Sequence, residues 1–336
     1  TLYKLHGKAE RVDEYVSKGG HDYRPDLRIA AFQWINKHIK NDAGEVKDSA
    51  EYTLFKPEEL RVFPEDKDLP ADALNHKIDE TFVKRAEVKL PEAGKFDAWK
   101  QGLMNELRAK SFRAFPERIP ASKETPAAAG GADLLLRTTE PGIQARITQT
   151  HIQFDPKPNA KWVLIDLEPQ PKGLPEWSRS IVRDNDDYAI LAPRGIGPTE
   201  WTRKSPPNYV ERSHALLGRT VDQGRVWDIA AVLRTFDSQN DGAPALKVIG
   251  RGEAGILAAY AALFEPSIKE IVIVDPPNSH KDGPTFLNVL RVLDIPEALG
   301  MLAPRKLTLV NAKDKAFDRT EQIYKLAGAA GKLLRK

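Results

Sequence analysis

Short apolar runs alternate with helical-period stretches along the second half of the chain. Trp162 to Leu167 and Tyr188 to Leu191 are continuous runs of the kind that sits inside a sheet buried on both faces, and so are Leu246 to Ile249, Ile271 to Val274 and Leu307 to Val310. Between and after them, Val221 to Phe236, Ile256 to Phe264, Thr285 to Leu293 and the stretch from about Arg319 read as helices. Ile143 to Phe154 alternates apolar and polar positions like an exposed antiparallel strand. A strand-helix alternation predicts an α/β fold with a doubly wound, mainly parallel sheet and helices on both faces.

The first half reads differently. Thr1 to Leu5 predicts the end of a helix and Asp13 to Val16 a short strand. Ser17 to Pro25 is a loop with two glycines that carries His21. Leu27, Ala31, Phe32, Ile35 and Ile39 then recur at helical spacing up to about Lys40. Asn41 to Lys56 is polar, and Pro57 to Pro120 reads as short helices broken by prolines, such as Leu74 to Arg85. A clearer helix from Phe96 to Phe112 carries Phe96, Trp99, Leu103 and Leu107 along one stripe, as a helix packing between two domains would. Ala121 to Gly131 is small, polar and proline-containing, the composition of a linker. The expected organisation is therefore residues 1–40, a helical bridging region over 41–131, and a domain over 132–336.

Composition narrows the chemistry. With 51 basic against 48 acidic residues the net charge is +3, and no run of five or more basic residues appears, so nucleic-acid binding has no support. The absence of cysteine excludes disulfides, thiolate metal sites and a cysteine nucleophile. No apolar run approaches the roughly 18 residues that span a bilayer, no signal peptide opens the sequence, and Thr1 in place of Met reads as a processed or truncated start.

The stretch with most chemical content is Leu246 to Phe264. A short strand runs into Gly250-Arg251-Gly252-Glu253-Ala254-Gly255 and then a helix of small residues. A strand turning through glycines into a helix brings backbone N–H groups and a positive dipole end to one point. Gly250, Gly252 and Gly255 spell the dinucleotide fingerprint G-x-G-x-x-G, with Asp275 where a ribose-binding acid would stand. The same residues also fit the nucleophile elbow G-x-S-x-G of the α/β-hydrolases, with Gly252 at the serine position. A dinucleotide fingerprint normally opens its domain, whereas this one follows two buried-strand runs, and Asp275 leads into the rigid pair Pro276-Pro277. The elbow reading is preferred. The alternative is a nucleotide-binding oxidoreductase.

Leu191-Ala192-Pro193-Arg194-Gly195-Ile196-Gly197, Ala215-Leu216-Leu217-Gly218-Arg219, Gly224-Arg225-Val226-Trp227-Asp228 and the elbow together resemble the acetyl xylan esterase and prolyl-oligopeptidase-like group of α/β-hydrolases. Residues 19–40, with His21 on a glycine loop before a helix, resemble the end of another such domain. The whole is similar to the C-terminal portion of a tandem-domain esterase of planctomycete bacteria. The resemblance implies a serine esterase acting on acylated carbohydrate, with no cofactor and no metal, exported or periplasmic. It makes His21 the base of a first domain whose serine and acid would lie upstream of Thr1, so that the missing catalytic domain is a partner and an acylated polysaccharide a possible one.

In the second domain Gly252 replaces the nucleophile and Asp314 stands near the acid position. The chain is expected to stop before the strand and loop that would supply a histidine. Glu253 beside the apex would contribute its backbone N–H rather than a reacting oxygen. The second domain is thus expected to be a non-catalytic, structural or substrate-positioning module. Ser213-His214 and Ser279-His280 are adjacent pairs without an elbow. Arg194, Arg203, Lys204, Arg212 and Arg219 could hold an acidic sugar, or serve as solvated surface and internal ion pairs. Tyr324-Lys325-Leu326-Ala327-Gly328 echoes Tyr3-Lys4-Leu5-His6-Gly7, a trace of an internal repeat. From it, residues 1–40 are expected to cover the open sheet edge through Asp13 to Val16.

Overall fold

The computed structural model describes residues 2–48, 53–125, 134–150, 161–168, 173–183, 186–201, 209–238 and 246–336. The chain divides into two compact units, Thr1–Ala73 and Leu74–Lys336.

The first unit holds two helices, α1 (Leu2–Leu5) and α2 (Pro25–Ile35), the latter continuing through a wider turn over Asn36–Lys40. Pro25 opens α2 at a position where its missing N–H costs nothing, and Asn41, in a left-handed conformation (φ 55°), closes the extension. Asp26 gathers the hydroxyls of Ser17 and Tyr15 and holds the preceding loop against the helix start. Asp13 to Val16 forms no strand. None of the described side chains of this unit is buried.

The second unit is organised by a sheet that, among the described residues, has nine strands drawn from 123–335. In chain order they are β1 (Lys123–Thr125), β2 (Leu134–Glu140), β3 (Ile143–Thr150), β4 (Lys161–Ile165), β5 (Asp187–Ala192), β6 (Leu246–Arg251), β7 (Glu270–Val274), β8 (Lys306–Val310) and β9 (Leu333–Arg335). Their spatial order is β1-β2-β3-β5-β4-β6-β7-β8-β9. The pairings β1-β2, β2-β3 and β3-β5 are antiparallel, and β4 to β9 run parallel.

The helices are α3 (Ile78–Phe82), α4 (Phe96–Lys110), α5 (Tyr209–Leu216), α6 (Val221–Ser238), α7 (Glu253–Phe264), α8 (Ile295–Gly300) and α9 (Asp318–Leu326). Strand alternation sorts the core into two layers. Val163, Ile165, Val248, Ile271 and Ile273 face the larger layer with α6 and α7, while Trp162, Leu164, Ile249, Val272 and Val274 face the other. Helix α7 lies deep in the larger layer, and its alanines let it approach the sheet and α6 closely. No described helix is long and apolar enough to cross a membrane.

Several expectations need correction. Lys123–Thr125, inside the stretch expected to be a linker, is the outermost strand, because a short exposed edge strand is as polar as a linker; residues 126–133 lie outside the described part. Helix α4 does not merely bridge. It buries Phe96 and Leu107 in the larger core layer, and the Phe112 ring beyond it lies 4.9 Å from Phe264 and 5.7 Å from Tyr260. The sheet does not end at β8. Leu333–Arg335 pairs parallel with it, so the edge expected to be covered by Asp13 to Val16 is occupied by the chain's own last residues. The helix expected over Thr285 to Leu293 is a loop with one short turn at Val289–Arg291, interrupted by the left-handed Asn288 (φ 60°).

Candidate active site

The parallel strands put their C-terminal ends at one edge of the sheet, and the turn from β6 into α7 stands in the middle of that edge. Gly252 is its apex, with φ 57° and ψ −129°, a region costly for any residue with a Cβ. Its N–H donates to the Val274 carbonyl at 2.8 Å, and its own carbonyl accepts from Gly255 N–H at 3.1 Å, the first bond of the helix.

The flanking glycines serve a different purpose. A Cβ on Gly250 would lie 2.6 Å from the Gly255 nitrogen, and one on Gly255 would run into Ile273 Cγ2 and the Gly250 carbonyl. Both are small because strand and helix touch there. A Cβ on Gly252 meets nothing within 4 Å. The turn keeps the close packing and the strained apex of an elbow, opens to free space, and carries no side chain there.

The neighbours of the apex are engaged in local structure. Arg251 Nε donates to Asp275 at 2.7 Å, and Asn311 Nδ2 donates to the other oxygen of Asp275 at 2.8 Å, so this carboxylate ties the ends of β6, β7 and β8 together. The Asn311 hydrogen bond and then Arg251 hold the Asp275 carboxyl below its ordinary range. The acid that the dinucleotide reading assigned to a ribose is therefore already committed. Glu253 opens α7 with its carboxylate against Gly283, where an added Cβ would lie 2.8 Å from Glu253 Cδ. Burial, followed by the negative charge of Asp222, pushes this carboxyl up, and Arg225 offsets part of the rise. The Glu253 N–H, in the first turn, has no acceptor within the helix.

Asp314 lies on the surface after β8 and caps a short turn. One oxygen accepts from Ala316 N–H at 2.8 Å and the other from Asn278 Nδ2 at 2.7 Å, which together hold its carboxyl low. His21 sits on the exposed loop of the first unit, beside Gly20 whose carbonyl accepts from Arg24. Of the residues singled out by sequence, the structure gathers Gly250, Arg251, Gly252, Glu253 and Gly255 into one turn, places Asp314 one strand beyond Asp275, and leaves His21 in the other unit.

Neither adjacent Ser-His pair bonds to itself. His214 Nδ1 lies against the Val210 carbonyl on α5. Ser279 donates to Asp294, while His280 turns to Pro284 O at 2.9 Å and the Tyr260 hydroxyl at 2.7 Å. A carbonyl can only accept, so Nδ1 carries the proton and Nε2 accepts from tyrosine, a neutral imidazole with both nitrogens satisfied. Tyr260 was the sequence signal for it: a polar-tipped ring inside an otherwise apolar helix.

Two of the five cations expected to form a basic loop, Arg194 and Arg219, are paired inward. Arg194 binds Asp228 through two nitrogens, at 2.8 and 2.7 Å, and also Glu140, which in turn accepts both Arg219 terminal nitrogens. Arg212 is exposed on α5, and Arg203 and Lys204 lie outside the described residues.

No family model matches the chain, and no curated protein matches it. Solved structures do. A proposed acetyl xylan esterase from Bacteroides fragilis NCTC 9343 superposes with a TM-score of 0.50 at 12% identity, over 72% of this chain and 75% of that one. The glucuronoyl esterase catalytic domain from Hypocrea jecorina gives a TM-score of 0.50 at 12% identity, over 75% of this chain and 83% of that one. At such identity the likeness concerns the fold alone. With the strand order and the mid-sheet elbow it makes this an α/β fold of the α/β-hydrolase type.

Proposed function

We propose that residues 74–336 form a hydrolase-fold unit without a nucleophile, working within a serine esterase that acts on acylated carbohydrate. The reaction itself is carried by a separate hydrolase domain, to which His21 belongs as base. The unit described here positions substrate or steadies that domain.

The observation that carries this reading is the apex of the elbow, which has the backbone conformation and the open space of a nucleophile site and a glycine in it. Acyl transfer through a serine enzyme needs an oxygen at that point, a histidine to take its proton, and backbone N–H groups for the oxyanion. Glu253 N–H and the α7 dipole supply the last of these. With no oxygen at the apex there is no acyl-enzyme. Asp314, held by Ala316 and Asn278, stands near the acid position, and no histidine among the described residues bonds to it. The esterase class and the carbohydrate substrate are supported by the likeness to carbohydrate esterase folds and by the sequence resemblance around Arg194 and Gly252.

Hydrolysis of p-nitrophenyl acetate by the whole chain, against buffer and a His21→Ala variant, tests the reading. No turnover above buffer is expected. Turnover that disappears in His21→Ala would mean that a complete catalytic set is present, and would end the non-catalytic reading.

A further inference from the structure

Away from the elbow, the second unit has a pocket of about 240 Å³ between the extended segment 83–86 and the loop from His280 to Arg291. The Ala86 N–H donates to the Leu290 carbonyl at 2.8 Å, which fastens the segment to that loop. Phe286, Val289 and Leu290 give the pocket carbon walls, and the His280 ring, tied to Tyr260 and Pro284, lines it as well.

The charged side chains that line it are of one sign, while Asp222 and Asp294 accept from the Thr285 and His280 backbone N–H groups behind the wall. Lys84, Arg85 and Arg291 line it, and no Asp or Glu does among the described residues. The cations are also weakly engaged. Arg85 reaches Glu80 only at 4.0 Å, and that carboxylate oxygen is shared with Lys281. Arg291 touches Asn288 Oδ1 at 3.5 Å, the limit of a hydrogen bond, and Lys84 has no acceptor among the described residues. Three cations around apolar walls favour a ligand with a single negative charge and a hydrophobic body. Such a ligand would set its body against Phe286 and Leu290 and its carboxylate within reach of an arginine fork at the rim.

We propose that this pocket binds a small organic monocarboxylate with an aromatic or aliphatic body. Its place, between the 83–86 segment and the loop that abuts Glu253 at Gly283, makes it distinct from the elbow, and the inference holds whether or not the elbow is catalytic.

Calorimetric titration of the full chain with 4-phenylbutyrate, and with the uncharged 4-phenylbutan-1-ol, tests it. Saturable 1:1 binding of the acid is expected, with the alcohol weaker by about tenfold or more, the equivalent of one charge-assisted hydrogen bond. The double variant Arg85→Gln/Arg291→Gln should lose a similar factor for the acid and nothing for the alcohol, with unchanged thermal unfolding. Gly252→Ser should bind as the parent does. Absence of saturable binding of the acid overturns the proposal. So does equal binding of acid and alcohol, which would reveal a greasy cleft without charge selection, and so does a double variant that folds and still binds the acid undiminished.

Discussion

Gly250, Gly252 and Gly255 look equivalent in the sequence and are not equivalent in space. Gly252→Ala places a methyl group in open space and costs only backbone strain, about 1–3 kcal/mol for a left-handed residue outside the populated regions. Gly255→Ala drives a methyl into Ile273 and the Gly250 carbonyl, where neither the helix start nor the central strand can yield. Overpacking typically costs about 1–3 kcal/mol and occasionally more, and here it meets backbone that cannot shift, so the upper end applies. Thermal melts of the two variants should therefore rank Gly252→Ala clearly above Gly255→Ala. The reverse order would mean that the turn is not held by contact between β6 and α7. The comparison also separates the two reasons a glycine is needed, which the motif compresses into one letter.

At the level of the element, the loop Ser279 to Thr285 makes stability depend on pH. Burial, the largest influence, lowers the His280 proton affinity; the hydrogen bond to Pro284 and then Asp294 and Asp222 act the other way without cancelling it. The folded chain thus keeps His280 neutral at pH values where an unfolded histidine, titrating near about 6.5, takes up a proton. Stability from this site is fully present above that pH and is lost as pH falls below it, by at most about 1.4 kcal/mol per pH unit. Urea unfolding at pH 7.5 and 5.5 should show a larger loss in the parent than in His280→Gln, whose amide can still bond Pro284 and Tyr260. Equal losses would exclude His280 as the sensor. The strands flanking this loop were legible in the sequence because each is a plain apolar run; β4 to β8 lie within two residues of where periodicity puts them. Strand β2 was not. Its second half buries Arg137 and Thr139, and Glu140 pairs with arginines that follow it by 54 and 79 residues. Polar residues satisfied only across space read as loop until the partners are known. The elbow was legible because its glycines are adjacent, whereas the pocket walls come from segments about 200 residues apart.

For the whole molecule, the two units differ in what holds them together. Ordering a residue costs roughly 1–2 kcal/mol of backbone entropy, and apolar burial is the main term that offsets it. Leu74–Lys336 has that offset in two layers of buried side chains on either face of its sheet. Thr1–Ala73 does not: Phe32, Ile35 and Ile39 of the α2 stripe remain exposed, and no described side chain is buried. Local opening should then come at little free energy throughout the first unit and near the full unfolding free energy in the sheet. Cleavage under native conditions follows the population of opened states when closing outpaces cutting. Limited trypsin digestion followed by mass spectrometry should accordingly give its first cuts before Leu74, where lysine and arginine are plentiful, and leave a resistant fragment carrying the sheet with its far-ultraviolet dichroism intact. First cuts within the sheet unit, with Thr1–Ala73 surviving whole, would show that the first unit draws stability from something other than its own buried surface.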